Sequence, residues 1–142
     1  MNVKTILNEK GNEVCTVGPD ATVADVAKVL RARHIGAVVV VDDSKRIVGI
    51  IAERDIVGAI ADHGASCLEQ QISEVMWSNV YRCTEDMTVD NLMQMMSARR
   101  ARHIPVERDG RLVGIISIGD VVKAHIRAIE NEAEHIKAYI AG

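Results

Sequence analysis

The hydrophobic and polar positions of the chain follow a pattern that occurs twice. Residues 22–57, "TVADVAKVLRARHIGAVVVVDDSKRIVGIIAERDIV", align with residues 88–122, "TVDNLMQMMSARRARHIPVERDGRLVGIISIGDVV", with one single-residue gap in a turn. The alignment places Gly49 on Gly114 and Asp55 on Asp120. Because the match runs through a whole unit, it indicates a duplicated folding unit rather than a chance similarity.

Each copy predicts the element order β-α-β-β-α. A short strand, "EVCTV" or "NVYRC", comes first, and a helix follows whose apolar residues have helical spacing: Val23, Val26 and Leu30, matched by Val89, Leu92 and Met96. The segments "AVVVVD" and "RIVGII", matched by "HIPVE" and "RLVGIIS", are separated by turns and predict hairpins. A second helix begins near Asp55 or Asp120. We therefore predict an α+β fold of two repeats, 1–66 and 67–142, packed sheet to sheet with pseudo-twofold symmetry.

Two further segments extend this pattern. Residues 63–79 connect the copies and predict a short helix that reaches Met76. The last 22 residues predict a long C-terminal helix with an apolar stripe at Val122, Ile126, Ile129, Ala133, Ile136 and Ile140. The stripe favours contact with a partner subunit, and packing against its own domain is the alternative.

Composition narrows the classes of function. The net charge of −3 gives no basic field for nucleic acid, and an aromatic content of 2% predicts that aliphatic side chains would hold any ligand ring. The three cysteines and five histidines show no disulfide or metal spacing. Catalytic motifs are absent from the sequence. The apolar runs are too short to span a bilayer and no signal-peptide pattern opens the chain, so we expect a cytoplasmic protein.

The two matched aspartates are the candidate chemistry. Each lies in the first turn of a predicted helix, where the helix dipole alone would favour an anion. A carboxylate can also accept both hydroxyl groups of a ribose, as an acidic residue does in dinucleotide-binding folds. Basic residues precede the next strand in both copies, as "RARHI" at 31–35 and "ARRARHI" at 98–104. Guanidinium groups suit phosphate, and a solvated helix face is the alternative reading for the helical arginines.

The phrases "GIISIGD" at 114–120 and "GIIAERD" at 49–55, within the tandem unit, resemble the Gly-apolar-apolar-Ser/Thr-x-x-Asp phrase of cystathionine β-synthase (CBS) domain pairs. The resemblance to this Bateman module covers roughly residues 8–127, and the chain as a whole is similar to stand-alone bacterial CBS-pair proteins. Ala52 departs from the phrase, because Ser or Thr belongs there. Such modules are not known as catalysts. They bind AMP, ADP, ATP, S-adenosylmethionine or sometimes NAD(H) between their repeats.

The resemblance implies two ligand-binding clefts. In each, the aspartate would hold the ribose, aliphatic side chains and backbone amides the adenine, and basic residues the phosphates. One cleft would join Ser117 and Asp120 to Val14, Cys15, His34, Ile35, Gly36 and Ala37. The other would join Asp55 to Asn79, Val80, Tyr81, Ala101, Arg102 and His103, with Arg54 close by. The complete phrase slightly favours the Asp120 cleft for occupancy.

These observations predict a regulatory module that senses an adenosine nucleotide and signals by a conformational change. AMP, ATP, NAD(H) and S-adenosylmethionine remain open as the ligand, and no metal or catalytic cofactor is expected. The predicted partners are a second copy of the chain and an unidentified effector protein, without membrane or nucleic acid. The alternative is a dimerisation or adaptor protein with non-functional clefts, which Ala52 favours modestly and Ser117 with Asp120 opposes.

Overall fold

A computed structural model, described for residues 1–141, confirms the α+β architecture with two small sheets and a long C-terminal helix. The strands are β1 Thr16–Val17, β2 Ala37–Val41, β3 Ile47–Ala52, β4 His103–Arg108 and β5 Arg111–Ser117. The helices are α1 Val3–Lys10, α2 Val23–Arg33, α3 Glu53–His63, α4 Val89–Arg99 and α5 Ile118–Ala141. Two 3₁₀ turns, Ala65–Glu69 and Ile72–Glu74, lie in the connection between the copies.

Both predicted hairpins are present. In the first sheet, β2 pairs antiparallel with β3 and parallel with β1. In the second sheet, β4 pairs antiparallel with β5, and Cys83 makes a single parallel bridge to Val106. The leading strands are shorter than predicted. In the second copy, a longer parallel ladder would require the N–H of residue 105 to donate to the carbonyl of Tyr81. Residue 105 is a proline and has no N–H group, so the ladder ends after this single bridge.

The helices that precede the hairpins begin where the sequence predicts. The side-chain oxygens of Thr22 and Thr88 accept hydrogen bonds, each 3.1 Å long, from the backbone N–H groups three residues later. Both helices end at a left-handed residue, His34 with φ 53° and Arg100 with φ 51°. The duplicated sequence therefore gives the same helix start and the same turn into the next strand in both copies.

Two parts of the chain differ from the sequence prediction. The connection forms two 3₁₀ turns instead of a helix that reaches Met76. Residues 3–10, for which no element is predicted, form α1, and Asn2 caps it. Eight residues are about two turns of helix, too few for the apolar periodicity to stand out.

Each sheet has its own core, and the core is completed by a segment that precedes the other copy. Val3, Ile6 and Leu7 of α1 pack into the core of the second copy. Ile72, which precedes the second copy, is fully buried in the core of the first. The division into repeats at residues 1–66 and 67–142 stays a prediction. Each core contains residues from both sides of that division.

The matched glycines of the repeated phrase lie where these exchanged segments touch the sheets. A Cβ atom on Gly114 in β5 would lie 2.7 Å from Leu7 Cδ2. A Cβ atom on Gly49 in β3 would overlap the side chain of Met76. Glycine at these two positions therefore allows the close approach on which each core depends.

Helix α5 is 24 residues long but buries only Val121 and Ala124. Over residues 1–141, no helix combines the length and hydrophobicity that crossing a membrane requires. The remaining large apolar side chains of α5 are exposed in the single chain.

The close approach at β5 makes a prediction. Gly114→Ala should lower the free energy of unfolding by about 1–3 kcal/mol in urea denaturation, because Leu7 must shift from a packed site. Gly58→Ala is the matched control, since Gly58 lies in α3 with nothing within 4 Å of its added Cβ atom. That change should leave the stability equal or raise it by up to ~1 kcal/mol. Equal stability of wild type and Gly114→Ala would contradict the packing of α1 on β5.

Candidate functional site

Asp55 lies at the junction between β3 and α3. Its carboxylate oxygen Oδ2 accepts a hydrogen bond of 2.8 Å from the backbone N–H of Ala52. The backbone N–H of Glu53 donates to the carbonyl of Gly36 at 3.0 Å, which ties the start of α3 to the start of β2. Ala52 supplies no side-chain cap, and within residues 1–141 Asp55 forms no ion pair. Its carboxylate is thus available to a ligand.

A cavity of about 620 Å³ includes Asp55 in its wall. Most of the residues predicted to join Asp55 lie in the same wall: Val80, Tyr81, Ala101, Arg102 and His103. Gly36, predicted for the other cleft, lies there as well. Asn79 is outside the lining, and its carbonyl accepts a 2.9 Å hydrogen bond from Trp77 Nε1. The topology therefore gathers this predicted group around one cavity, whereas its binding role stays a prediction.

Two aromatic side chains, Trp77 and Tyr81, line the cavity beside the aliphatic Ile50, Ala52, Val80 and Ala101. Trp77 is 53% exposed and pairs through its backbone with Ile50 of β3. Tyr81 belongs to the second copy, and the Arg99 guanidinium carbon lies 5.1 Å from its ring centroid. Composition counts aromatic residues but does not place them, so the concentration of two of them at one site was missed.

The cavity is rich in arginine. Arg54, Arg99, Arg100 and Arg102 line it, against the acidic residues Glu53 and Asp55. The Nη1 atom of Arg54 donates to the carbonyl of Arg100 at 3.3 Å, which links the two copies. The segment "ARRARHI" was a candidate for phosphate, but Arg99 and Arg100 were not assigned to a cleft, because a solvated face is the alternative for arginines at a helix end. Four guanidinium groups with two carboxylates give the site a positive balance that suits a phosphate.

Asp120 lies at the matched junction between β5 and α5, but its carboxylate has an additional partner. Ser117 and Asp120 cap each other: the Ser117 N–H donates to Asp120 Oδ2 at 2.8 Å, and the Asp120 N–H donates to Ser117 Oγ at 3.1 Å. The same Oδ2 atom is 2.7 Å from the Lys10 Nζ atom, which also donates to the carbonyl of Ile115 at 2.8 Å. Sequence reasoning missed Lys10 because it missed α1.

Hydrogen bonds and charge lower the pKa of Asp120, whereas burial lowers the pKa of His103. Burial alone would raise the pKa of Asp120, but the hydrogen bonds from Lys10 and Ser117 outweigh it and hold the pKa below its usual value. Burial lowers the pKa of His103, against the opposing effect of Asp120. Asp120 is therefore an anion and His103 is neutral at pH 7, and positive charge in the nearby cavity comes from arginine.

The structure distributes the other residues predicted to join Asp120. His34 and Ile35 line a second cavity of about 580 Å³, together with Gly36 and residues of α3. Ala37 is buried in β2, Cys15 packs against the first core, and Val14 is half-buried before β1. Gly36 connects the two groups, since a Cβ atom on it would lie 3.3 Å from His103 Cε1. No group of three or more potential metal ligands occurs within residues 1–141.

The ion pair of Asp120 makes a prediction about pH. Lys10→Met should raise the pKa of Asp120, measured by NMR titration of its carboxyl carbon, because a stabilising cation is removed. The wild-type pKa lies below the unfolded value, so the ion pair stabilises the fold at neutral pH. Its contribution, of about 1 kcal/mol or less, should disappear as the pH falls through that lowered pKa. Lys4→Met, a change of an α1 lysine without an ion pair in the described chain, is the control and should leave the titration unchanged.

Comparison with known proteins assigns this architecture to a family. The CBS domain model matches residues 3–62 and 72–127, which are the two copies with their preceding segments. The mitochondrial CBS domain-containing protein CBSX3 of Arabidopsis thaliana is 33% identical over 150 aligned positions, which cover 99% of this chain and 72% of that protein.

Solved structures show the same arrangement. The CBS-domain containing protein ATU1752 from Agrobacterium tumefaciens is 51% identical with a TM-score of 0.85, over 88% of this chain and 99% of that one. The CBS domain pair of protein MJ0100, solved with 5-methylthioadenosine and S-adenosyl-L-methionine, is 30% identical with a TM-score of 0.79, over 88% of this chain and 95% of that one. The chain therefore belongs to the CBS domain family, and its two copies form a tandem CBS domain pair.

Proposed function

We propose that this CBS domain pair is a regulatory module that binds an adenosine nucleotide in the cavity beside Asp55. The observation that carries the proposal is the composition of that cavity, in which a carboxylate without an ion pair, two aromatic rings and four arginines face one space. Its volume of about 620 Å³ is within the range of small-molecule sites. The adenosine compounds bound to the MJ0100 domain pair support the ligand class.

Each part of a nucleotide has a candidate partner in this cavity. The Asp55 carboxylate accepts the two ribose hydroxyl groups. Apolar and aromatic side chains from both copies, among them Ile50, Val80 and Tyr81, contact the adenine ring. The arginines bind phosphate. This charge favours AMP, ATP or NAD(H) over S-adenosylmethionine, whose sulfonium group is a cation.

We place the primary site at Asp55 and not at Asp120. A ribose that bound Asp120 would first have to displace Lys10, whose ammonium is 2.7 Å from the carboxylate. The complete Ser-x-x-Asp phrase favours Asp120 on sequence grounds alone. The ion pair reverses that preference, because Lys10 occupies the carboxylate. The hydroxyl group of Ser117 is also engaged, since it caps α5.

Signalling would pass through helices that begin at the aspartates. Val57 and Ile60 lie on α3, within two turns of Asp55, and are 65% and 43% exposed. A ligand that moves the start of α3 also moves these side chains, which we propose as part of a contact with a second copy or an effector protein. Binding shifts this equilibrium only by the difference in ligand affinity between the two arrangements. The proposed location is the cytoplasm.

The second candidate function is an adaptor without ligand. It is favoured by Ala52, which removes the hydroxyl at one site, and by Lys10, which pairs with the carboxylate at the other. In this function the aspartates serve only as caps and ion-pair partners at the helix starts.

Calorimetric titration with AMP, ATP, NADH and S-adenosylmethionine separates the two functions. We expect a phosphate-containing nucleotide to bind, and Asp55→Ala to weaken it by about 10–100-fold, since hydrogen bonds to a charged group are lost. Asp120→Ala is the matched control and should change the affinity by less than about twofold. Absence of binding at millimolar concentration would support the adaptor. Loss of binding in Asp120→Ala alone would contradict the choice of site.

The arginines make a prediction about the phosphate. Arg102→Ala should weaken AMP by about tenfold and adenosine much less, because only AMP carries the phosphate that a guanidinium binds. Arg111→Ala, an exposed change in β5 away from the cavity lining, should leave both affinities unchanged. Equal losses for AMP and adenosine would assign Arg102 a structural role instead of a phosphate contact.

A further inference from the structure

Helix α5 continues well beyond the domain that it begins in. Its last ion pair joins Arg127 Nη1 to Glu9 Oε2 at 2.6 Å, and every residue from Ile129 to Ala141 is exposed in the single chain. The family match also ends at residue 127. A helix of this length without packing is marginal in water, so the extension depends on a partner for its stability.

Six of the exposed apolar residues of α5 are spaced as in a coiled coil, and the exposed Ile118 and Tyr139 lie beside this seam. The six residues of the seam succeed one another at alternating intervals of four and three residues: Val122, Ile126, Ile129, Ala133, Ile136 and Ile140. This gives two positions in every seven, a narrower stripe than a helix that packs on a sheet would show. The four isoleucine side chains of this seam are between 49% and 78% exposed. Such a seam fits another helix with the same repeat.

Charges beside the seam indicate which helix and which direction. In a parallel, in-register pair, the residues just before Ile126 and Ala133 each face the residue five places later on the other helix. Glu132 then faces Lys137 of the second chain, which pairs opposite charges. A fully overlapped antiparallel pair would set Glu130 against Glu130 and Lys123 against Lys137. The charges therefore match a second copy of α5 in parallel and oppose the antiparallel arrangement.

We propose that residues 122–140 of α5 form a parallel, in-register coiled coil with the same residues of a second copy of the chain. This rests on the second chain invoked in the proposed function and assigns its contact to α5, which leaves the exposed side chains of α3 to an effector protein. The twofold axis runs along the seam, so the second CBS repeats of the two chains lie side by side. The nucleotide cavity takes no part in this contact.

Disulfide cross-linking of the full-length protein tests the direction. In the parallel pair, position 136 faces itself, so Ile136→Cys should form a covalent dimer on oxidation, seen by electrophoresis without reductant. Asn131→Cys, exposed on the outer face of the same helix, is the matched control and should stay monomeric under those conditions. Wild type controls for the native cysteines, of which Cys67 and Cys83 are buried. A failure of Ile136→Cys to cross-link, or equal cross-linking of Asn131→Cys, would overturn the proposal.

Charge exchange provides a second, independent measurement. Glu132→Lys and Lys137→Glu should each raise the dimer dissociation constant by about threefold to tenfold in sedimentation equilibrium, and the double variant should restore it. A double variant as weak as the single ones would overturn the parallel register. AMP titration of Ile136→Glu separates this proposal from the proposed function, because loss of dimer with retained AMP binding leaves the nucleotide site intact.

Discussion

The fold depends on the exchange of short apolar segments between the two copies. Leu7 rests on the strand glycine of the second copy, and Met76 rests on that of the first. A unit of about 55 residues has little core of its own, so each copy is completed by the segment that precedes the other. The exchange fixes the relative position of the copies, and with it the distance between β3 of one copy and the start of β4 in the other. This constraint, together with hydrogen bonds between the copies such as that from Arg54 to the carbonyl of Arg100, gives the shared cavity a defined shape.

The same exchange makes the two aspartates unequal. The segment that crosses to the second copy ends in Lys10, which reaches Asp120, whereas the segment that crosses to the first continues into Trp77, beside Asp55. One duplicated strand-helix junction therefore ends in an ion pair and the other in an open, arginine-rich cavity. Ala52 fits this difference, because α3 forms without the reciprocal cap that Ser117 gives to α5. Specificity in a duplicated fold can thus arise outside the duplicated phrase.

Sequence predicted the elements that are specified locally. The helix caps at Thr22 and Thr88, both hairpins and the junctions at Asp55 and Asp120 each depend on a few neighbouring residues, and all are present. The missed features depend on contacts between distant residues, such as the ion pair between Lys10 and Asp120. A weak signal did exist: Val3, Ile6 and Leu7 have the same spacing as Ile72, Val75 and Met76. The gathering of arginines depends on where α4 ends, which a pattern of polar residues does not fix.

The proposed nucleotide site lies at the start of α3, and the proposed dimer contact lies along the matched helix α5. Asp55 opens α3 and Asp120 opens α5, and both helices then expose apolar side chains in the single chain. If a nucleotide binds more tightly to the dimer than to the single chain, linkage requires that it strengthen association by the same factor. A ligand that contacts only the first turn of α3 could thus regulate a partner without any change in the sheets. The duplication would then supply two matched helices, α3 beginning at the ligand and α5 forming the seam. The cores that share the exchanged segments would connect the two helices.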